Sequence, residues 1–212
     1  MKEADLATKP GRAEYALWAL LALALVTLIG FAVADRIGRR AAAPLPVFNK
    51  LPEFRFENRD GRQLGSAELA GKPYIADFMF THCPGVCPVL SKRMSELAAK
   101  LPLERVNLVS FTVDPRNDNR ETLAAYAEKL AAPPQWYFFT GSREDLFRLI
   151  REGFQLMVDD SQQAAEGDPI VHSNRFVLVD QEGRIRGYYN AFDPAALAQL
   201  PGDLESLLSL SR

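Results

Sequence analysis

A run of twenty consecutive uncharged residues, Tyr15 to Ala34, most constrains what this chain can fold into. At a helical rise of about 1.5 Å per residue, this run matches the roughly 30 Å hydrocarbon core of a bilayer. Trp18 lies near one end, where aromatic rings tend to settle at the headgroup level. We therefore expect an N-terminal tail of residues 1–14 followed by a transmembrane helix of residues 15–34.

Two other interpretations of this run stay open: a buried core helix and a cleavable signal peptide. A core helix is disfavoured because the run is apolar on all sides and precedes a proline-containing linker. Residues 41–43 are alanines that a signal peptidase could cut, but the apolar part of a signal peptide is usually only about 7–15 residues long. Basic residues occur on both sides of the run, so the positive-inside rule does not orient it.

Composition bounds the rest of the chain. The 212 residues are 48% apolar and 25% charged, which is typical of one globular domain with an appendage. The formal net charge is −2 and the basic residues are interspersed with acids, so we expect no nucleic-acid partner. The chain has only two cysteines and two histidines, so any thiol or imidazole chemistry depends on these four side chains.

Residues 35–51 are predicted to form a tether, because Pro44 and Pro46 favour a locally extended chain. The domain is predicted to span residues 52–212, where apolar runs of strand length alternate with helical patterns. A short hairpin is expected around residues 58–61, and the other predicted strands are 74–80, 106–113, 136–139, 175–179 and 184–189. Helices are predicted after Ser66, along the stripe Leu90, Met94, Leu97 and Leu101, at 120–130, and after Ser142.

Two parts of the domain are harder to assign. Residues 154–170 are polar and are predicted to form an inserted loop or hairpin. At the C-terminus, Pro194 is expected to start a short helical turn, Pro201 to interrupt it, and Asp203 to cap a last helix. The whole order predicts an α/β domain with a mixed sheet and helices on both faces, for which a thioredoxin-like layout fits best.

The segment from Cys83 to Cys87 (CPGVC) falls where a buried strand should end and an amphipathic helix begin. A helix N-terminus favours the thiolate, the form that attacks disulfides and binds metals. Four positions apart on a first helical turn, the two sulfurs can share one ligand or close one disulfide. The spacing is one residue longer than in typical thioredoxin-like oxidoreductases. A structural disulfide or two inert thiols is the alternative, but one short-loop disulfide adds little to a domain of this size.

His172 precedes a predicted strand and is expected at a strand end beside the cysteines. Two thiolates and one imidazole suit Cu(I), whereas zinc usually takes a fourth ligand. On its own, such a histidine is more often an ordinary loop residue, so its weight comes from Cys83 and Cys87. His82 is a weaker candidate ligand, because its ring should point elsewhere if Cys83 faces the site.

The sequence resembles the Sco (SenC/PrrC) family of copper proteins that help assemble cytochrome c oxidase. The resemblance rests on a single apolar span with a short tether and on three segments: FMFTHCPGVCP (78–88), TVDPRND (112–118) and HSNRFVLVD (172–180). It implies a thioredoxin-like domain of the peroxiredoxin-like variant and copper, as Cu(I), Cu(II) or both, bound by Cys83, Cys87 and His172. Gly85 departs from the family, which often has an acidic residue there.

The resemblance also implies a location and a partner. The domain would face the periplasm or its equivalent from a single-pass anchor in the inner membrane. It would deliver copper to the dinuclear centre of oxidase subunit II and could also reduce the cysteines of that centre, with other copper chaperones as further partners. Asp114 is expected either to orient a ligand or simply to cap the turn before Pro115.

Three functions remain as hypotheses. A metallochaperone is favoured over an enzyme, because dithiol exchange needs no distant imidazole such as His172. The alternatives are a thiol-disulfide reductase that uses Cys83 and Cys87, and a copper or redox sensor that signals by protein contact.

Overall fold

The computed structural model describes residues 17–18, 20–31, 45–157 and 174–210. The chain divides into two compact units, Met1–Ala43 and Pro44–Arg212. In the first unit, residues 20–31 form helix α1, whose apolar side chains are exposed on all sides. Among the described residues, no helix combines the length and apolarity needed to cross a membrane, so the predicted transmembrane helix is not confirmed.

The second unit is built on one eight-stranded mixed sheet with the strand order β1-β8-β7-β4-β5-β6-β2-β3. Its strands are β1 (Asn49–Lys50), β2 (Arg55–Asn58), β3 (Gln63–Gly65), β4 (Tyr74–Met79), β5 (Asn107–Thr112), β6 (Trp136–Thr140), β7 (Arg175–Val179) and β8 (Arg184–Asn190). Its helices are α2 (Ser66–Leu69), α3 (Val86–Ala98), α4 (Arg120–Lys129), α5 (Arg143–Arg148) with a following π-helical turn (Leu149–Gly153), and α6 (Pro194–Leu210). The predicted mixed α/β sheet is confirmed.

The three central strands β4, β5 and β6 are parallel and aligned in register. Every residue of β4 and of β5 is buried, as expected for strands covered on both faces. The C-terminal ends of the strands therefore meet at one edge of the sheet, with Met79 beside Thr112. Strand β7 runs antiparallel to β4, so its first residues lie at this same edge.

The two faces of the sheet are packed differently. On one face, Phe78, Phe111 and Phe154 form a cluster with ring centroids 4.9–5.8 Å apart. Strand alternation places Phe138 on the opposite face, where Tyr126 of α4 packs against it. The Tyr126 hydroxyl also bonds Ser91 Oγ of α3 at 2.8 Å. Helices α3 and α4 therefore cover this second face, above the centre of the sheet.

The predicted break in the C-terminal helix is wrong. Helix α6 runs without interruption from Pro194 to Leu210, with Pro201 inside it. Leu200 and Leu204 are buried on either side of the proline, so core packing offsets the hydrogen bond that proline removes. Asp203 caps no helix; its Oδ2 accepts a 2.7 Å hydrogen bond from the Tyr189 hydroxyl.

The sheet also begins earlier than expected. Asn49 and Lys50, in the segment predicted as a tether, form an edge strand that pairs with β8. A two-residue strand carries no periodic pattern, so sequence alone could not reveal it. Most of the predicted loop at 154–170 lies outside the described residues, and His172 lies outside them as well.

Candidate metal centre

The two cysteines lie at the edge where β4 ends. Strand β4 ends at Met79, a loop carries Cys83, and α3 begins at Val86 with Cys87 in its first turn. Ligand sites of α/β sheets commonly occupy this position beyond the carboxyl ends of parallel strands. Both cysteines are free thiols in this structure.

The sulfur of Cys83 takes part in starting helix α3. Cys87 donates its backbone N–H to Cys83 Sγ at 3.4 Å. The expectation that both cysteines occupy the first helical turn is therefore wrong, because Cys83 precedes the helix. They nevertheless remain adjacent, with Cys83 half-buried and Cys87 only 3% exposed.

Burial opposes the thiolate at Cys87 that a helix N-terminus would favour. Burial raises the pKa of the Cys87 thiol well above its usual range, and the nearby Cys83 and Asp77 raise it further. The backbone of Phe80 opposes this effect only in part. Loss of hydration outweighs the helix dipole here, because the sulfur lies in the core rather than at the surface.

Asp77 of β4 is a completely buried carboxylate that the sequence analysis did not single out. Among the described residues, neither of its side-chain oxygens has a hydrogen-bond partner. Burial raises its pKa to about 7. Ser110 lies opposite on β5 and favours the ionised form, but it does not reach the carboxylate in hydrogen-bonding geometry. The signal in the sequence was one acid inside an otherwise apolar strand.

A second buried carboxylate, Asp118, holds the loop that leads to Cys83. It accepts hydrogen bonds from the Thr81 hydroxyl and the Thr112 hydroxyl, each at 2.5 Å, and from the Thr81 backbone N–H at 3.2 Å. Burial raises the pKa of Asp118, while these bonds counteract the rise. Asp118 thus ties the end of β5 to the cysteine loop, a role that sequence reasoning missed although the residue lies in TVDPRND.

Asp114 forms part of the turn that follows β5. Its backbone carbonyl accepts from the N–H groups of Asn117 and Asp118, and its Oδ2 accepts from Asn117 Nδ2 at 2.7 Å. These contacts close the turn that follows β5. These contacts agree with the predicted turn cap. The alternative, that Asp114 orients a ligand, stays a prediction, because His172 lies outside the described residues.

Of the two histidines, His82 is among the described residues. His172, the predicted third ligand, lies outside the described residues. His82 is exposed, and its Nδ1 lies 2.9 Å from Thr81 Oγ1. In the described part of the chain, no three histidine, cysteine or acidic side chains come together as a metal-binding group. The structure therefore brings together Cys83 and Cys87 of the predicted set.

Comparison with known proteins places this geometry in a family. The sequence model of the SCO1/SenC family matches residues 44–207. The solved structure of a SCO1/SenC family lipoprotein from Bacillus anthracis str. Ames is 33% identical, covers 78% of this chain and 99% of its own, and has a TM-score of 0.71.

Two further relatives carry names that describe a function. BsSco, reported with a disulfide switch and as a member of the Sco family of cytochrome c oxidase assembly proteins, is 30% identical; the match covers 78% of this chain and 96% of that structure, with a TM-score of 0.68. A Stutzerimonas stutzeri protein provisionally named as copper-binding is 29% identical over 200 residues, covering 91% of this chain and 95% of its own. The second unit shares the thioredoxin-like fold of these structures, and the chain belongs to the SCO1/SenC family.

Proposed function

We propose that this protein is a copper chaperone that carries one copper ion on Cys83, Cys87 and His172 and delivers it to the dinuclear copper centre of cytochrome c oxidase subunit II. The observation that carries the proposal is the pair of free thiols, joined by the 3.4 Å contact from Cys87 N–H to Cys83 Sγ, at the edge of the sheet. Soft sulfur ligands suit Cu(I), and the half-exposed Cys83 leaves the ion reachable by a partner.

The burial of Cys87 suits a carrier of this kind. Its raised pKa keeps the thiol protonated before copper arrives, and binding then releases the proton because the thiolate is the ligand. A protonated, buried thiol also reacts slowly with oxidants. Burial would therefore protect the Cys87 thiol until the ion arrives.

The pairing of β7 with β4 supports the choice of His172 as the third ligand. Ala76 of β4 pairs with Val177 of β7, so β7 begins beside the C-terminal end of β4. Asn174 directly precedes β7, and its carbonyl accepts from Ala191 N–H at 2.7 Å at this edge. His172 precedes Asn174 by two residues, which supports its assignment as a ligand for an ion held at Cys83.

The names of two relatives support copper as the bound ion and cytochrome c oxidase as its acceptor. The Stutzerimonas stutzeri protein is named for copper binding, and BsSco is assigned to cytochrome c oxidase assembly. We extend both properties to this chain because the matched region includes the cysteine loop and the strand after His172. Oxidase subunit II is then the acceptor, by exchange of protein ligands around the ion.

The proposed location is the inner membrane, with the second unit facing the periplasm. The uncharged run 15–34 would serve as a single-pass anchor, and the exposed apolar surface of α1 supports contact with lipid. Protease treatment of spheroplasts should degrade the second unit, whereas treatment of inverted vesicles should leave it intact. The opposite pattern would place the domain in the cytoplasm.

The decisive test of the carrier is a Cu(I) titration of the full-length protein in detergent. The protein is reduced without oxygen and competed against a chelator, alongside Cys83→Ser, Cys87→Ser and His172→Ala variants. We expect one tightly bound copper in the wild type and a loss of at least about tenfold in affinity for each variant. A His172→Ala protein with unchanged affinity would remove His172 from the ligand set.

Thiol-disulfide reduction is the second candidate, favoured by the same free thiol pair. The half-exposed Cys83 would attack a partner disulfide and release one partner thiol. Cys87 would then attack the mixed disulfide, releasing the second partner thiol and leaving Cys83 and Cys87 oxidised. The reductase is the better account if two results are found. The wild type does not take copper from the chelator but reduces a disulfide in a flexible peptide, and the His172→Ala protein reduces that peptide equally well.

A further inference from the structure

A chain of hydrogen bonds runs from the core to the imidazole beside Cys83. Buried Asp118 Oδ1 lies 2.5 Å from Thr81 Oγ1, and Thr81 Oγ1 lies 2.9 Å from His82 Nδ1. The other carboxylate oxygen, Oδ2, accepts from the Thr112 hydroxyl at 2.5 Å. The Thr81 backbone N–H adds a further bond at 3.2 Å to each oxygen. Thr81 is therefore held on both its backbone and its side chain.

The donors and acceptors of these hydrogen bonds assign the tautomer of His82. A hydroxyl has one proton to donate, and the Thr81 hydroxyl donates it to the Asp118 carboxylate. With Asp118 in its carboxylate form, Thr81 Oγ1 can only accept from His82 Nδ1, which puts the proton of the neutral imidazole on Nδ1. The lone pair that can bind a metal is then left on Nε2 of this exposed ring.

His82 occupies the outer side of the cysteine loop. Its side chain is exposed, Cys83 is half-buried and Cys87 is buried, so ligand accessibility falls along the loop. These three residues do not form a metal-binding group as they stand in the described part of the chain. His82 is thus the most exposed of the three side chains and the one that an arriving ion meets first.

We propose that His82 Nε2 is a transient copper ligand: together with Cys83 it receives the ion on entry and holds it again on release. Thr81 and Asp118 act as positioning residues that set the tautomer of His82. This inference rests on the proposed carrier function. A Cu–N bond to His82 forms first and breaks when Cys87 binds, with the Cys87 proton leaving to solvent and copper keeping its oxidation state. A metal-binding imidazole commonly donates its other ring N–H to a carboxylate or a similar acceptor, and this hydrogen bond fixes the orientation of the ring and of its free lone pair.

The tautomer can be tested without copper. The full-length, metal-free protein is labelled with ¹⁵N-histidine in detergent micelles, and His172→Ala leaves His82 as the single signal. Above the pH range in which imidazole protonates, two-bond nitrogen–proton correlations should report the proton on Nδ1, and Thr81→Val should move it toward Nε2. A proton on Nε2 in the presence of Thr81 would overturn the assignment.

The role in transfer can be tested by stopped-flow exchange of Cu(I) with a chelator. A transient ligand speeds entry and release equally, so His82→Ala should slow both by about tenfold while the Kd changes less than about twofold. Thr81→Val should slow both by a smaller factor, and Lys92→Ala, an exposed residue of α3, should change neither. Unchanged rates in His82→Ala would overturn the proposal, as would a large loss of affinity, which would make His82 a resident ligand.

The copper titration and the exchange experiment distinguish a failure of the carrier function from a failure of the His82 proposal. If the wild type binds no copper in competition with the chelator, the carrier function fails, and the transient ligand with it. If the wild type binds copper and loses it on Cys83→Ser, but His82→Ala exchanges at the wild-type rate, the carrier stands and the His82 proposal alone is wrong.

Discussion

Cys83 and Cys87 are joined by a hydrogen bond in which the backbone N–H of Cys87 donates to Cys83 Sγ across 3.4 Å. The N-cap residue of α3 is Gly85, which has no side chain to cap the helix, and Pro88 in the first turn has no N–H. A potential copper ligand therefore also replaces the missing cap. This dual use makes the thiol part of the local fold before any ion binds.

The cap predicts a difference between two substitutions of Cys83. Serine keeps an acceptor for Cys87 N–H and alanine removes it, so Cys83→Ala should lower the free energy of unfolding by about 0.5–1 kcal/mol relative to Cys83→Ser. Chemical denaturation of the reduced, metal-free proteins measures the difference. Equal stability of the two variants would mean that the sulfur contributes nothing to the start of α3.

Asp77 predicts an unusual dependence of stability on pH. Burial raises its pKa to about 7, so between roughly pH 4 and 7 the folded protein binds more protons at this site than the unfolded chain. Its contribution is therefore most favourable at low pH and is lost as the pH rises to about 7. Asp77→Asn cannot ionise and should gain stability relative to the wild type across this window, by on the order of 3–4 kcal/mol.

The measurement for Asp77 is the variant-minus-wild-type free energy of unfolding at several pH values, taken on reduced protein. Exposed Glu96 on α3 supplies the matched control, and Glu96→Gln should give a flat difference. A flat difference for Asp77→Asn as well would show that the carboxylate is hydrated or paired in solution.

Arg186 and Asp180 form a buried ion pair, with Arg186 Nη1 2.8 Å from Asp180 Oδ2. Arg186 also donates to the backbone carbonyls of Leu45 and Pro46, so it fastens the start of the second unit to β8. Arg186→Met would leave the Asp180 charge buried with fewer partners, and we expect a loss of roughly 3 kcal/mol in the free energy of unfolding.

The control for that pair is Arg184, which contacts the same carboxylate at 2.7 Å but is 38% exposed. Arg184→Gln should cost no more than about 1 kcal/mol, because solvent screens the exposed partner. Combining Asp180→Asn with Arg186→Met should recover part of the loss, since no charge is then left in the core. Similar losses for both single arginine variants would contradict the assignment of Arg186 as the dominant partner.

Pro201 predicts a stabilising substitution. It lies inside α6, where it can donate no backbone hydrogen bond, so Pro201→Ala should raise the free energy of unfolding by about 1–3 kcal/mol. Pro194 is the first residue of the same helix, a position that tolerates proline, so Pro194→Ala should be nearly neutral. A destabilised Pro201→Ala protein would mean that the proline sets a bend on which the packing of Leu204 depends.

Several elements follow from local sequence patterns. The unbroken apolar runs of β4 and β5 predict strands buried on both faces, and the spacing of Leu90, Met94 and Leu97 predicts the buried face of α3. Local helix propensity, however, wrongly predicted a break at Pro201. A helix interrupted in isolation is held together here by the burial of leucines on both sides, which only the assembled core provides.

The sequence by itself determined the chemistry available to this protein: two cysteines four positions apart at a strand-to-helix junction, two histidines, and a mixed α/β order around them. Tertiary structure alone decided that Cys87 is buried, which raises the pKa of its thiol, and that Asp118, in the turn after β5, holds Thr81. The reason is physical. Residue type and spacing are local, whereas desolvation and hydrogen bonds between separate strand ends exist only once the sheet has brought those ends together.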